Sequence, residues 1–203
     1  MSTSSTARIS ESTVPCIRAI AIGASAGALD ALSIILPALP AGFPIPVLVV
    51  VHLPADKESL LANLLDAKCQ MDVREAADKE PIQFGTIYLA PPAYHMLVEN
   101  DQSLSLSADE PVNFSRPSID VLFETAADAY GSSLVGVILT GANNDGAYGL
   151  RTVVERGGIA LVQRPDQSYA SAMPLAALSA CPQAQSLSLN EISDYLSSLA
   201  KTE

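Results

Sequence analysis

Basic and aromatic residues are scarce in this chain, and each shortage removes a class of function. Lys and Arg number 11 against 22 Asp and Glu, for a net charge of −11 over 203 residues. Nucleic-acid binding needs a basic footprint against phosphates, so no nucleic-acid partner is expected. The excess acid reads as solubilising surface charge. A sharper reading is that it repels acidic partners until some surface is neutralised. Charged residues make up 16% of the chain and aromatics 5%. Low charge with abundant Ala, Val, Leu and Ile, punctuated by Gly and Pro, fits a compact α/β domain and not a coiled coil or a disordered chain. Cys16, Cys69 and Cys181 form an odd set without CxxC spacing. That argues against a disulfide framework or a structural zinc site, and no metal is expected. No apolar run reaches transmembrane length. The Ser/Thr-rich start has no apolar segment of the secretory kind. Direct membrane insertion is therefore not expected, and a cytoplasmic location is the default.

What is present is a repeated alternation of apolar runs and helical patterns. Residues 1–15 are too polar to pack and read as a flexible arm; residues 16–203 read as one domain. Buried strands are expected over 16–22, 46–51, 134–139 and 159–162, the continuous apolar run Val47-Leu48-Val49-Val50-Val51 being the clearest. Helices are expected over 28–36, 57–67, 147–156, 174–180 and 190–200. Another begins near Ile119: Ile119, Leu122, Phe123, Ala126, Ala127 and Tyr130 fall on one helical face, and Gly131 ends it. A short strand is expected near 71–74. Short strand-like runs at 86–90, 95–99 and 103–107, separated by Pro91-Pro92 and Asn100-Asp101, suggest a small antiparallel excursion near 84–107. The expected fold class is α/β: a doubly wound, mostly parallel sheet with helices on both faces.

Ligands of open parallel sheets bind beyond the carboxyl ends of the strands, and three predicted strands end in chemically useful residues. Gly23-Ala24-Ser25-Ala26-Gly27 places Ser25 in a G-x-S-x-G turn between strand and helix. Such a turn projects the hydroxyl from the sheet and aims the following N–H where an oxyanion would form. The bland alternative is a serine that only caps the helix. A dinucleotide fingerprint fails, since Ser25 and Ala28 stand where the second and third glycines belong, and no Walker lysine is present. Histidine is the usual acceptor of a serine proton near neutral pH. Of the two histidines, His52 follows a buried strand, whereas His95 lies in the antiparallel excursion and reads as structural. A buried carboxylate that orients the imidazole is the expected third member. Asp145, after the strand at 134–139, fits, with an N-cap as its bland alternative. Asp30 lies inside the first helix, and Asp166 is the substitute should Asp145 fail.

Several ordered motifs then carry a family resemblance. The family's Ile-Gly-Ala-Ser-Thr-Gly-Gly appears as Ile22-Gly23-Ala24-Ser25-Ala26-Gly27-Ala28, and its Gln-His-Met-Pro as Val51-His52-Leu53-Pro54. Its Leu-Thr-Gly-Met-Gly-x-Asp-Gly-Ala appears as Leu139-Thr140-Gly141-Ala142-Asn143-Asn144-Asp145-Gly146-Ala147. Ile87-Tyr88-Leu89-Ala90-Pro91 with His95-Met96, Arg116-Pro117-Ser118-Ile119-Asp120-Val121-Leu122-Phe123, and Ala172-Met173-Pro174 also match. From about Ile17 to near its C-terminus the chain resembles the catalytic domain of the bacterial chemotaxis protein-glutamate methylesterases (CheB-type).

The resemblance implies hydrolysis of glutamyl methyl esters on the cytoplasmic helices of methyl-accepting chemoreceptors, with release of methanol, and deamidation of receptor glutamines in many members. It implies Ser25 as nucleophile, His52 as base and Asp145 as the residue that holds His52, with no cofactor. Ala26 and Ala142 fall at oxyanion and substrate-contact positions. Ala26 replaces a threonine, Ala28 a glycine and Ala142 a methionine of the family motifs, which puts the substrate contacts in question and leaves the triad intact. Typical members carry an N-terminal receiver domain, for which the stretch before the first strand is too short. A stand-alone enzyme or an excised domain is the expectation. The alternatives are a receptor-binding module of low or no activity and a small-molecule esterase with the same triad.

Overall fold

The computed structural model describes residues 16–52 and 60–201. Its centre is a seven-stranded sheet: β1 (Ala19–Ala24), β2 (Val47–Val51), β3 (Asp72–Glu75), β4 (Thr86–Leu89), β7 (Leu134–Ile138), β8 (Ile159–Gln163) and β9 (Gln185–Leu187). The spatial order is β3-β4-β2-β1-β7-β8-β9, and every pairing is parallel. A separate antiparallel pair joins β5 (His95–Val98) to β6 (Leu104–Ser107).

The helices are α1 (Ala28–Ile35), α2 (Leu61–Asp66), α3 (Ile119–Tyr130), α4 (Ala147–Glu155), α5 (Ala172–Ala180) and α6 (Leu189–Ser198). Alternate strand residues divide the core between two faces, as a two-residue side-chain period requires. On one face Ile20, Ile22, Val47, Val49, Val135 and Val137 pack with Leu32 and Ile35 of α1, Leu61 and Leu65 of α2, and Ile192 and Leu196 of α6. On the other, Ala19, Ala21, Leu48, Val50, Leu134 and Ile138 pack with Leu122 and Phe123 of α3, Leu150 and Val153 of α4, Met173 and Ala177 of α5, and Met96 of β5. A strand covered on both sides has no polar face, which is why β2 is an unbroken Val/Leu run. The doubly wound arrangement is therefore the one the sequence predicts.

The antiparallel excursion is confined to β5 and β6. Thr86–Leu89, read with that excursion from the sequence, belongs to the parallel sheet, paired with β2 and β3. The helix expected over 57–67 is described from Leu61 to Asp66, and its first residues, with Leu53 and Pro54, lie outside the described residues. The expected arm at 1–15 lies outside them too. The edge strand β9 has no counterpart in the sequence reading. No helix among the described residues is long and apolar enough to cross a membrane.

The strand order also places the site. From β1 the chain moves outward through β2 to the edge strand β3, steps back to β4 between them, then returns to β7 on the other side of β1 and moves outward again. Adjacent connections therefore leave the carboxyl ends of β1 and β7 in opposite directions. A crevice opens at that reversal.

Candidate active site

Ser25 follows β1 and is half-buried at the mouth of this crevice. Its N–H donates to the Thr140 carbonyl at 2.9 Å, and its carbonyl accepts the Ala28 N–H at 2.9 Å. The buried Thr140 hydroxyl donates to the Ala26 carbonyl at 2.8 Å and accepts the Ala170 N–H at 2.9 Å. The turn is thus tied to the loops after β7 and β8. Its two glycines serve different steric needs. Gly27 has φ +83°, and a Cβ there would meet Tyr169 Cβ at 2.7 Å. A Cβ on Gly23 would collide with Ile119. The first glycine thus makes room for α3 rather than for a substrate. The capping alternative for Ser25 is not realised: Gly27 is the N-cap of α1, without a side-chain cap bond. Among the described residues Ser25 Oγ has no hydrogen-bond partner.

His52 stands one residue beyond β2. The register pairs Ala24 with Val51, and the His52 N–H donates to the Ala24 carbonyl at 3.2 Å. Ser25 and His52 therefore emerge side by side from adjacent strands, whose spacing is about 4.8 Å. The His52 side chain is 13% exposed and its Nε2 lies 2.8 Å from Asp145 Oδ2. Asn143 Nδ2 lies 3.2 Å from the other ring nitrogen, Nδ1.

Asp145 is fully buried. Its Oδ2 also accepts the Ile119 N–H at 2.6 Å. Its Oδ1 accepts from the Ser118 hydroxyl at 2.8 Å, Asn113 Nδ2 at 3.1 Å and the Asp120 N–H at 3.3 Å. Asp145 is not the N-cap of its own helix, since Gly146 holds that place in α4. It meets instead the first turn of α3, whose N-cap Ser118 makes no cap bond to that helix. Backbone donors and the positive end of the helix dipole favour a carboxylate there. Burial pushes the Asp145 carboxyl up, but the bonds from His52, Ile119, Asn113 and Ser118 outweigh it and hold the group below its ordinary value. An ionised Oδ2 accepts only, so Nε2 carries the ring proton and Nδ1 keeps a lone pair.

The neighbouring Asp120 responds in the opposite direction. Burial above all raises its carboxyl, the Gly149 N–H pulls it back, and the charge of Asp145 adds to the rise. Its Oδ1 accepts the Gly149 N–H at 2.7 Å, and its Oδ2 accepts Asn113 Nδ2, also at 2.7 Å. Asn113 thus bridges the two acids.

The substitute Asp166 is exposed and has no bond to His52. Asp30 is exposed on α1. His95 is buried away from the crevice mouth; its Nδ1 accepts the Ser118 N–H at 3.2 Å and its Nε2 donates to the Glu110 carbonyl at 3.1 Å. It supports the start of α3, a structural role. Ala26 is half-buried beside Ser25, and Ala142 is exposed in the Asp145 loop. A cavity of about 330 Å³ opens at His52, lined by Ala93, Pro111, Phe114, Ser115, Arg116 and Pro117. Arg116 holds its wall by donating to the Ala108 and Asp109 carbonyls. No group of three or more His, Cys, Asp or Glu among the described residues is placed to hold a metal ion.

The sequence reading did not single out Asn113, Ser118, Thr140 or Asn143. All four are small polar residues in or beside loops, where capping or turn formation is the ordinary explanation. The available signal was their position in the segments flanking Asp145 and the helix at 119.

Fold and site together define a doubly wound α/β domain with a His–Asp pair at its strand-order reversal. A family model described as CheB methylesterase matches residues 20–196, and the chain belongs to that family. A Leptospira interrogans protein, provisionally named protein-glutamate methylesterase/protein-glutamine glutaminase, is 48% identical over 176 residues, covering 87% of this chain and 91% of its own. An Archaeoglobus fulgidus protein-glutamate methylesterase/protein-glutamine glutaminase is 40% identical over 162 residues, covering 78% of this chain. The match takes in 46% of that relative, so this chain corresponds to about half of it. The crystal structure of the Thermotoga maritima CheB methylesterase catalytic domain superposes with a TM-score of 0.85 at 31% identity, covering 90% of this chain and 98% of that one.

Proposed function

We propose that the chain is a serine hydrolase that demethylates glutamyl methyl esters, and deamidates glutamines, on the cytoplasmic helices of chemoreceptors. The names of its relatives supply the substrate class. The observation that carries the chemistry is the 2.8 Å bond from His52 to the buried Asp145, one strand away from Ser25.

The ring geometry supports the following steps. Ser25 Oγ attacks the ester carbonyl carbon while its proton passes to His52 Nδ1. Asp145 is a positioning residue: it holds Nε2–H and stabilises the imidazolium that forms. The carbonyl oxygen becomes an oxyanion within reach of the Ala26 N–H, at the turn into α1, with Ala142 bounding the same side. Collapse breaks the bond to the methoxy group, which leaves as methanol with the proton from His52. Water then attacks the acyl-enzyme with the same ring as base, releasing glutamate and free Ser25. For a glutamine substrate the leaving group is ammonia. These steps call on no cofactor, and the site of action is the cytoplasm.

The test is methanol release from methylated receptor by the full chain. Ser25→Ala is expected to reduce the rate to the uncatalysed background. An unchanged rate in that variant removes Ser25 as nucleophile and the mechanism with it.

A further inference from the structure

The loop that carries Asp145 presents a second side chain to His52. Asn143 Nδ2 lies 3.2 Å from His52 Nδ1, and Asn143 Oδ1 accepts the Asp145 N–H at 3.2 Å. This network sets the amide's orientation: the Asp145 N–H needs an oxygen, which leaves the NH2 facing the ring. Asn143 is therefore the donor and Nδ1 the acceptor. With Nε2–H committed to Asp145, Nδ1 is the single ring atom able to take a proton from a nucleophile. Asn143 occupies it, while Ser25 Oγ has no hydrogen-bond partner among the described residues. The family motif matched by this loop has glycine at the position of Asn143, and a glycine has no group to reach the ring.

We infer that Asn143 is a positioning residue that fixes the orientation of the His52 ring and competes with Ser25 for the Nδ1 lone pair. The inference rests on the serine-hydrolase reading. In the free protein the amide satisfies Nδ1, and attack by Ser25 requires that bond to open. The Asp145 bond alone keeps the proton on Nε2, so removing the amide frees Nδ1 without reversing the tautomer. An Asp at the same position does the opposite, because its carboxylate accepts and draws a proton onto Nδ1.

The experiment measures the rate at which a fluorophosphonate probe labels Ser25 in the full chain, together with the ¹⁵N resonance of His52 Nδ1. Asn143→Ala and Asn143→Gly are each expected to label about two- to tenfold faster than wild type, the range spanned by one neutral hydrogen bond. Asn143→Asp is expected to label more slowly. The Nδ1 resonance is expected to move in Asn143→Ala, whereas a purely structural role for the side chain would leave it in place. Equal or slower labelling in both folded Ala and Gly variants overturns the competition. So does an Nδ1 resonance identical to wild type. If the probe labels wild type no better than Ser25→Ala, the nucleophile is wrong and the ring signal alone decides: a shift supports the hold on His52, and no shift overturns it.

Discussion

Replacing Asp145 by Asn keeps the shape of the side chain and removes one acceptor, and the consequences follow from its partners. In the wild type, Oδ1 receives Ser118, Asn113 and the Asp120 N–H, while Oδ2 receives the Ile119 N–H and His52 Nε2–H. An asparagine has a single oxygen. Placed at Oδ1 it satisfies that group and turns NH2 toward two donors. The opposite orientation sets NH2 against Asn113 Nδ2, held in place by Asp120, and the Asp120 N–H, neither of which can accept, so the first orientation costs less. His52 relieves half of the conflict by moving its proton to Nδ1, after which Nε2 accepts from the new amide and the Asn143 amide has to turn its oxygen to the ring. The Ile119 N–H has no such escape and stays buried without a partner, at about 1–3 kcal/mol. Nδ1, now an N–H, no longer accepts the Ser25 proton. Methanol release is expected to fall by about 10⁴-fold, the scale of a reversed tautomer in a serine triad. Denaturant unfolding is expected to show the loss of about 1–3 kcal/mol. A folded Asp145→Asn protein with a rate within about tenfold of wild type would refute both the tautomer assignment and the role of His52 as base.

Acid sensitivity supplies a second check. The Asp145 carboxyl lies below its ordinary value when folded, so its contribution is present above the unfolded value of about 3.9 and is lost as pH falls through the folded one. Below about pH 4, wild type is expected to lose stability more steeply than Asp145→Asn, by up to about 1.4 kcal/mol per pH unit; parallel curves in urea titrations at successive pH values would count against it. Thr140→Val retains the shape of Thr140 while leaving the Ala26 carbonyl and the Ala170 N–H without their partner. It is expected to cost about 1–3 kcal/mol and to slow phosphonate labelling of Ser25, with Thr140→Ser restoring both; unchanged labelling and stability in the valine variant would sink the idea.

The parts of this fold legible in the sequence are those where burial leaves a periodic trace. Val47–Val51 is covered on both faces and reads as a continuous apolar run; the buried stripe of α3 reads as a helix for the same reason. Strand direction leaves no such trace. Thr86–Leu89 is a short apolar run followed in sequence by an antiparallel pair, and only its register with Val47–Val49 and Asp72–Glu75 places it in the main sheet. Gln185–Leu187 lies at the sheet edge with two of its three residues exposed, so it carries no apolar signal. In the site, Ser25, His52 and Asp145 were legible because each follows a buried strand. The cage around Asp145 was not, since Asn113 and Ser118 lie far from it in sequence and their residue types suggest local caps. Asn143 sat in plain view within a matched motif, but only the ring orientation gives its amide a role.

That cage also ties two separate motifs of the sequence together. Ser118-Ile119-Asp120 touches no candidate substrate, yet its hydroxyl and two N–H groups are spent on Asp145. A buried carboxylate costs several kcal/mol unless donors are fixed around it beforehand. Here the first turn of α3 fixes them, and Ile119 is seated on Gly23, the opening residue of the serine turn. The position of Ser25 and the charge behind His52 are therefore linked through one contact between α3 and the end of β1. The Asp145 side of His52 is fixed before any substrate arrives, so no reorganisation is required on that side of the ring. What remains adjustable is the Nδ1 side, where Asn143 holds the lone pair that the proposed attack by Ser25 needs. A change that loosens the α3 contact should therefore weaken both Ser25 and the Asp145 cage at once, whereas a change at Asn143 should act through the His52 ring.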